Sequence, residues 1–189
     1  MARSPRLPPL SDEQLDDEAR TLVTASWFSD RPTNGQNFFK TFVRHRDLFR
    51  VWNDFGRVLF NSKLPDRDRE LLIMRTAWLT RCTFEWAYHE PLARQLGFSD
   101  EEIEGVLEGP DALCWSELDA ALLRAVDDLY LDAVITDKVW AVLRTAYDDL
   151  QLIEVPLVVG QYQLVAYFNN TMGVEPAAGL PHLPQPSRG

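Results

Sequence analysis

A chain of 189 residues with 46% hydrophobic content is long enough for one domain with a buried core. Its formal net charge of −10 and pI near 4.7 argue against a surface built for nucleic-acid phosphates or anionic lipid. No apolar run reaches the roughly 20 residues that span a bilayer. No apolar leader follows Met1, and two cysteines, Cys82 and Cys114, are too few for a disulfide scaffold, so a cytoplasmic location with no membrane or nucleic-acid partner is expected.

Residues 1–10 are Pro-rich and read as a flexible segment. Ser11, with Gln14 three residues on, reads as a capping box opening a helix. Arg31-Pro32-Thr33-Asn34-Gly35 is a break. An aromatic-rich helical stretch follows from Phe38 to Phe60, its rings spaced for core packing. Leu64-Pro65 then leads into a helix with Asp66 as N-cap, running to about Leu79.

Thr80-Arg81 is a short connection, and a second helix runs from Cys82 to Leu96, stopped by Gly97 and kinked at Pro91. Ser99, Ser116 and Thr136 cap three further helices. The last long helix spans about Leu150 to Met172, with a second kink expected at Pro156. Residues 176–189 hold four prolines and read as a tail, or as an arm laid on a partner. No strand alternation, internal repeat or low-complexity tract is present. The expected organisation is therefore all-α, with one domain over residues 11–175 and its informative motif over 64–106.

The chemistry concentrates in the pair of helices between Asp66 and Leu96. Cys82, Glu85 and His89 are three and four residues apart, so they share one helical face. If the chain reverses at Arg81, antiparallel pairing brings position 70 opposite about position 90, and Glu70 meets His89. An imidazole flanked by carboxylates can be fixed in one tautomer and have its pKa raised, which suits proton transfer near neutral pH. Cys82 is drawn towards thiolate by the helix dipole and away from it by the nearby acids.

The same segment, Leu64 to Val106, resembles the carboxymuconolactone decarboxylase and alkylhydroperoxidase D-like superfamily. The peroxidase branch carries a Glu, then Cys-x-x-Cys twelve residues on, then a His four residues after the second Cys. Glu70, Cys82 and His89 match the Glu, the first Cys and the His, but Glu85 stands in place of the second Cys. Glu85-Trp86-Ala87-Tyr88-His89 instead fits the Glu-x-x-x-His of the decarboxylase-like branch, and Gly160 to Val174 is similar to the closing helix of many members. The resemblance implies a helical bundle of about seven helices around a central antiparallel hairpin. It also implies no prosthetic group, and a homo-oligomer, dimeric or trimer-based, with sites near subunit interfaces.

Three functions fit this sequence. The first is a cofactor-independent lyase or isomerase that moves a proton on a small carbonyl, lactone or carboxylate substrate. Its catalytic residues would be His89, Glu85, Glu70 and Cys82, with Trp86, Tyr88 and Tyr162 contacting substrate. The second is a peroxidase-like thiol oxidoreductase using Cys82 with an external reductant. The third is a non-catalytic oligomeric binding protein, which a cavity filled by Trp86 or Tyr88 would favour. Each residue also has a structural reading: His89 as a core histidine bonded to Glu70, Glu70 as a charge in a helix's first turn, Cys82 as a small buried group. A metal held by Glu70, Glu85 and His89 is disfavoured, because helical di-metal sites use paired Glu-x-x-His motifs with spacing three. His45 and His182 have no supporting constellation.

Overall fold

The computed structural model describes residues 5–26 and 36–185 and contains nine α-helices and no strand among them. The break expected at 31–35 lies outside the described residues. The first helix, α1 (Asp17–Thr24), begins later than Ser11 because Asp16 accepts the Ala19 amide at 2.9 Å and is the true cap. Ser11 to Gln14 form a single turn, closed by the Ser11 amide donating to Gln14 Oε1.

The aromatic stretch is two helices, α2 (Gln36–Phe42) and α3 (Arg46–Phe60). His45 Nδ1 accepts the Leu48 amide at 3.3 Å and starts the second of them. This division accounts for part of the excess over the expected seven helices. The hairpin follows as α4 (Asp66–Leu79) and α5 (Thr83–Gln95). Pro65, not Asp66, occupies the N-cap of α4, and Asp66 instead pairs with Arg69 at 2.8 Å.

The remaining helices are α6 (Asp100–Glu108), α7 (Glu117–Asp132), α8 (Asp137–Ala146) and α9 (Asp149–Met172). Reciprocal capping boxes at Ser99/Glu102, Ser116/Asp119 and Asp148/Gln151 open α6, α7 and α9, each satisfying amide donors that a helix start leaves free. Both α5 and α9 run on through Pro91 and Pro156 without interruption.

Helix α4 lies at the centre, packed by α5, α6, α7 and α9. Its run Leu71-Leu72-Ile73-Met74 is buried on every side, and the buried Arg69, Glu70, Arg75 and Thr76 share the same helix. This main core is joined by Val126, Leu143 and Val158. A second, aromatic core gathers Phe38, Phe42, Phe49 and Trp52 against the start of α5 and the end of α9. The rings meet mostly edge-on, for example Phe38 and Trp52 at 5.0 Å between centroids.

The turn between α4 and α5 fixes the register of the hairpin. Arg81 adopts a left-handed conformation (φ 55°). Its amide donates to Trp78 O at 3.1 Å, and the Cys82 amide donates to Ala77 O at 2.9 Å, the paired bonds of a Schellman stop. Glycine is usual at this position. Here the arginine is held by stacking on Trp78, 4.2 Å from the ring centroid, and by donating to Pro184 O at 3.0 Å.

Both ends of the described chain fold back on the domain. The Arg6 and Leu7 amides donate to Met172 O at 2.8 and 3.2 Å and tie this part of the N-terminal segment to the end of α9. The described part of the tail lies on its own chain: Leu183 is buried in the main core, and the Ala177 amide donates to the Tyr88 hydroxyl at 3.2 Å. No helix among the described residues is long and apolar enough to cross a membrane.

Candidate active site

The antiparallel hairpin brings Glu70 of α4 to His89 of α5, Oε1 to Nδ1, at 2.7 Å. The other ring nitrogen, Nε2, lies 3.3 Å from Oε2 of Glu85, one turn earlier on α5. The ring is thus flanked by an acid at each nitrogen. Glu70 is fully buried, and its Oε2 has no hydrogen-bond partner among the described residues, so its one strong bond is the one to His89. Burial alone would push the imidazole pKa down, but Glu70, and then Glu85, outweigh it and raise it to about 9. At neutral pH the ring is an imidazolium that can donate from both nitrogens.

The third helix of the site is α9. Asn169, almost fully buried, directs Nδ2 at Glu85 Oε1 over 3.4 Å. Tyr162, two turns earlier, sets its ring at 88° to His89 with centroids 5.1 Å apart. Cys82 occupies the N-cap of α5 with no exposed surface. Burial, and then the Glu85 charge, push its thiol well above the ordinary range, while the amides of Glu85 and Phe84 and the Asn169 side chain pull the other way.

A cavity of about 50 Å³ adjoins this cluster. Glu85, Tyr88 and His89 line it from α5, and Gln161 and Tyr162 from α9. Phe38, Phe39 and Trp52 close the far side. Glu70 stands behind His89 and Cys82 behind Glu85, neither on the cavity wall. Among the described residues, no group of three or more His, Cys, Asp or Glu side chains is arranged to hold a metal ion.

Residues 46–128, which include Glu70, Cys82, Glu85 and His89, match the family model described as the carboxymuconolactone decarboxylase family. Over this segment the chain is similar to the carboxymuconolactone decarboxylase family, and its fold is that of AhpD-like proteins. Solved members share the fold at low identity. An alkylhydroperoxidase AhpD core described as an uncharacterized peroxidase-related protein, from Ralstonia eutropha JMP134, is 15% identical with a TM-score of 0.76, covering 94% of this chain and 95% of that one. An uncharacterized peroxidase-related protein from Silicibacter sp. TM1040 is 16% identical with a TM-score of 0.75, covering 94% and 96%. The debrominase Bmp8 is 14% identical with a TM-score of 0.71, covering 91% and 92%, and a cysteine-to-alanine variant of it has been solved with 2,3,4-tribromopyrrole. Among curated proteins, no relative matches.

Of the superfamily positions read from the sequence, the structure gathers Glu70, Glu85 and His89 into one chain of contacts and sets Tyr88 and Tyr162 on the cavity wall. Trp86 is placed elsewhere: it points into the main core beside Trp78, centroids 6.5 Å apart, and does not reach the cavity. Neither it nor Tyr88 fills the space. Asn169 and Gln161 escaped the sequence reading, and so did the role of Phe38, Phe39 and Trp52 as walls. The available signal for Asn169 was its place two helical turns after Tyr162 on a largely apolar inner stripe, where a polar side chain needs a partner.

Proposed function

We propose that the protein is a cofactor-independent enzyme that moves protons on a small carbonyl compound, by isomerisation, elimination or decarboxylation. The reading is carried by the alignment Glu70–His89–Glu85, with only the last two facing the cavity. Glu85 accepts a proton from the carbon next to the carbonyl. His89, charged by its neighbours, donates from Nε2 to the carbonyl oxygen as the enol forms. Glu70 orients the ring and keeps it protonated, as a buried carboxylate behind an imidazole does. The test is deuterium uptake from D₂O into small cyclic ketones and lactones, followed by proton NMR. Catalysed exchange lost at least about a hundredfold in His89→Gln supports the reading. Exchange that persists in a folded His89→Gln protein removes it.

A second reading rests on Cys82, whose thiol the amides of Glu85 and Phe84 and the Asn169 side chain favour as thiolate against its burial and the Glu85 charge. The thiol would attack a peroxide O–O bond, leaving a sulfenic acid and an alcohol or water. Two equivalents of an external thiol would return the cysteine with release of water and a disulfide. The peroxidase-related relatives favour this reading. The buried position of Cys82 and the absence of a second thiol from its helix weigh against it. Rapid peroxide consumption lost in Cys82→Ser would place it first.

The homo-oligomer expected from the superfamily has a physical counterpart. Leu48, Val51, Phe55 and Val58 form an exposed stripe on α3. Leu150, Ile153, Leu157, Leu164 and Tyr167 form another on the outer face of α9, which packs against α3 beside the cavity. Apolar stripes of this length support pairing with a second copy. Light scattering at the monomer mass would refute it.

A further inference from the structure

The walls of the cavity restrict what can enter it. Six aromatic rings contribute, and they brace one another: Phe38 meets Phe39 at 5.4 Å and Trp52 at 5.0 Å, and Phe84 meets Tyr88 at 4.8 Å. Such walls are stiff and favour flat, unsaturated guests that can lie against ring faces and edges. By the same volume measure the space of about 50 Å³ holds about four water molecules, which limits the reacting part of a guest to about one ring.

The charges are as restrictive. Among the described residues no lysine or arginine lines the cavity. The ionisable groups that face it or stand directly behind it are Glu85, Glu70, His89, Tyr88, Tyr162 and Cys82. Acids outnumber the imidazole two to one, and both imidazole nitrogens are already engaged by them. A carboxylate brought here would lose its water and meet a like charge at Glu85, while the single His89 imidazolium is already shared between two acids.

We propose that the substrate is an uncharged, flat, ring-sized unsaturated carbonyl compound, and that carboxylate-bearing molecules are excluded. The carbonyl rests on the proton-transfer reading above; the exclusion of anions rests on the cavity alone. Decarboxylation then drops out, because its substrate arrives as a carboxylate. Isomerisation of a double bond is left as the best fit. Glu85 takes the proton from the carbon beside the carbonyl while His89 Nε2 gives one to the carbonyl oxygen, forming a neutral dienol. Glu85 returns its proton at the far carbon of the dienol, and the enol hydroxyl returns its proton to His89, so no co-reactant is consumed.

Benzamide and benzoate provide a matched pair of near-equal shape that differ in charge. Calorimetric titration of the full chain at pH 7 is expected to show benzamide binding at least tenfold more tightly than benzoate. In Glu85→Gln, with its fold checked by circular dichroism, the ratio is expected to narrow to threefold or less. Benzoate binding as tightly as benzamide, saturable binding of neither, or an unchanged ratio in Glu85→Gln overturns the proposal. Binding is read without turnover, so a benzamide preference with no proton exchange would remove the catalytic reading and leave the exclusion of anions standing. Exchange on a carboxylate substrate would do the reverse.

Discussion

Nδ1 of His89 lies 2.7 Å from Oε1 of Glu70, on the opposite arm of a hairpin whose turn is held by a left-handed Arg81. The pair converts a local feature, helix reversal after Leu79, into a chemical one: an imidazolium retained in a buried site. Glu85 completes it from the cavity side.

The linkage between this pair and folding has a definite sign. The native ring holds its proton up to about 9, the unfolded ring only to about 6.5. The stabilisation is whole below about pH 6.5 and disappears as pH rises through about 9. The unfolding free energy from urea titrations should therefore fall over that interval by on the order of 3 kcal/mol, and His89→Gln should lose that dependence. A flat profile in the parent protein would show that the pair does not hold the proton.

Asn169 is the group that donates to Glu85 from α9. Replacing it with alanine leaves Glu85 Oε1 without that donor and should cost about 1–3 kcal/mol of stability. Turnover should fall through kcat more than KM, because the change misplaces the base without touching the aromatic walls. A shift of the pH–rate profile would separate this from simple destabilisation.

Cys82 stands behind Glu85, off the cavity wall. On the proton-transfer reading, Cys82→Ala should change the exchange rate by no more than about threefold. A loss of about a hundredfold or more would give the thiol a catalytic part.

Away from the site, Gly109 has φ +114°, and a β-carbon there would lie 2.9 Å from Arg75 Nη2. That guanidinium cannot easily yield, since it binds Asp127 at 2.7 and 2.9 Å and Val106 O at 2.7 Å. Gly109→Ala should destabilise by at least about 2 kcal/mol, measured by thermal or urea unfolding, with benzamide affinity unchanged.

The hairpin was legible in the sequence because both of its signals are local. Spacings of three and four put Cys82, Glu85 and His89 on one face, and a short turn fixes which residues of two antiparallel helices meet. The break at Val43–His45 was not, since aromatic periodicity continues across it and the cap is a histidine, an unusual choice. Nor could periodicity distinguish a ring that fills a core from one that walls a cavity. Phe38 does both, touching Phe42 and lining the space beside His89. Asn169 joins Glu85 from 84 residues away, and Leu183 enters the core as a single apolar residue among prolines. Neither contact leaves a repeating pattern in the chain.

The most direct test of the central claim is the titration of His89 itself, by NMR of ¹⁵N-histidine-labelled protein with His89→Gln used for assignment. The expected result is a ring protonated on both nitrogens at pH 7 that titrates near 9, and a lower value in Glu70→Gln. A ring that is neutral at pH 7, titrating at or below about 6.5, would contradict the proton-transfer reading at its source.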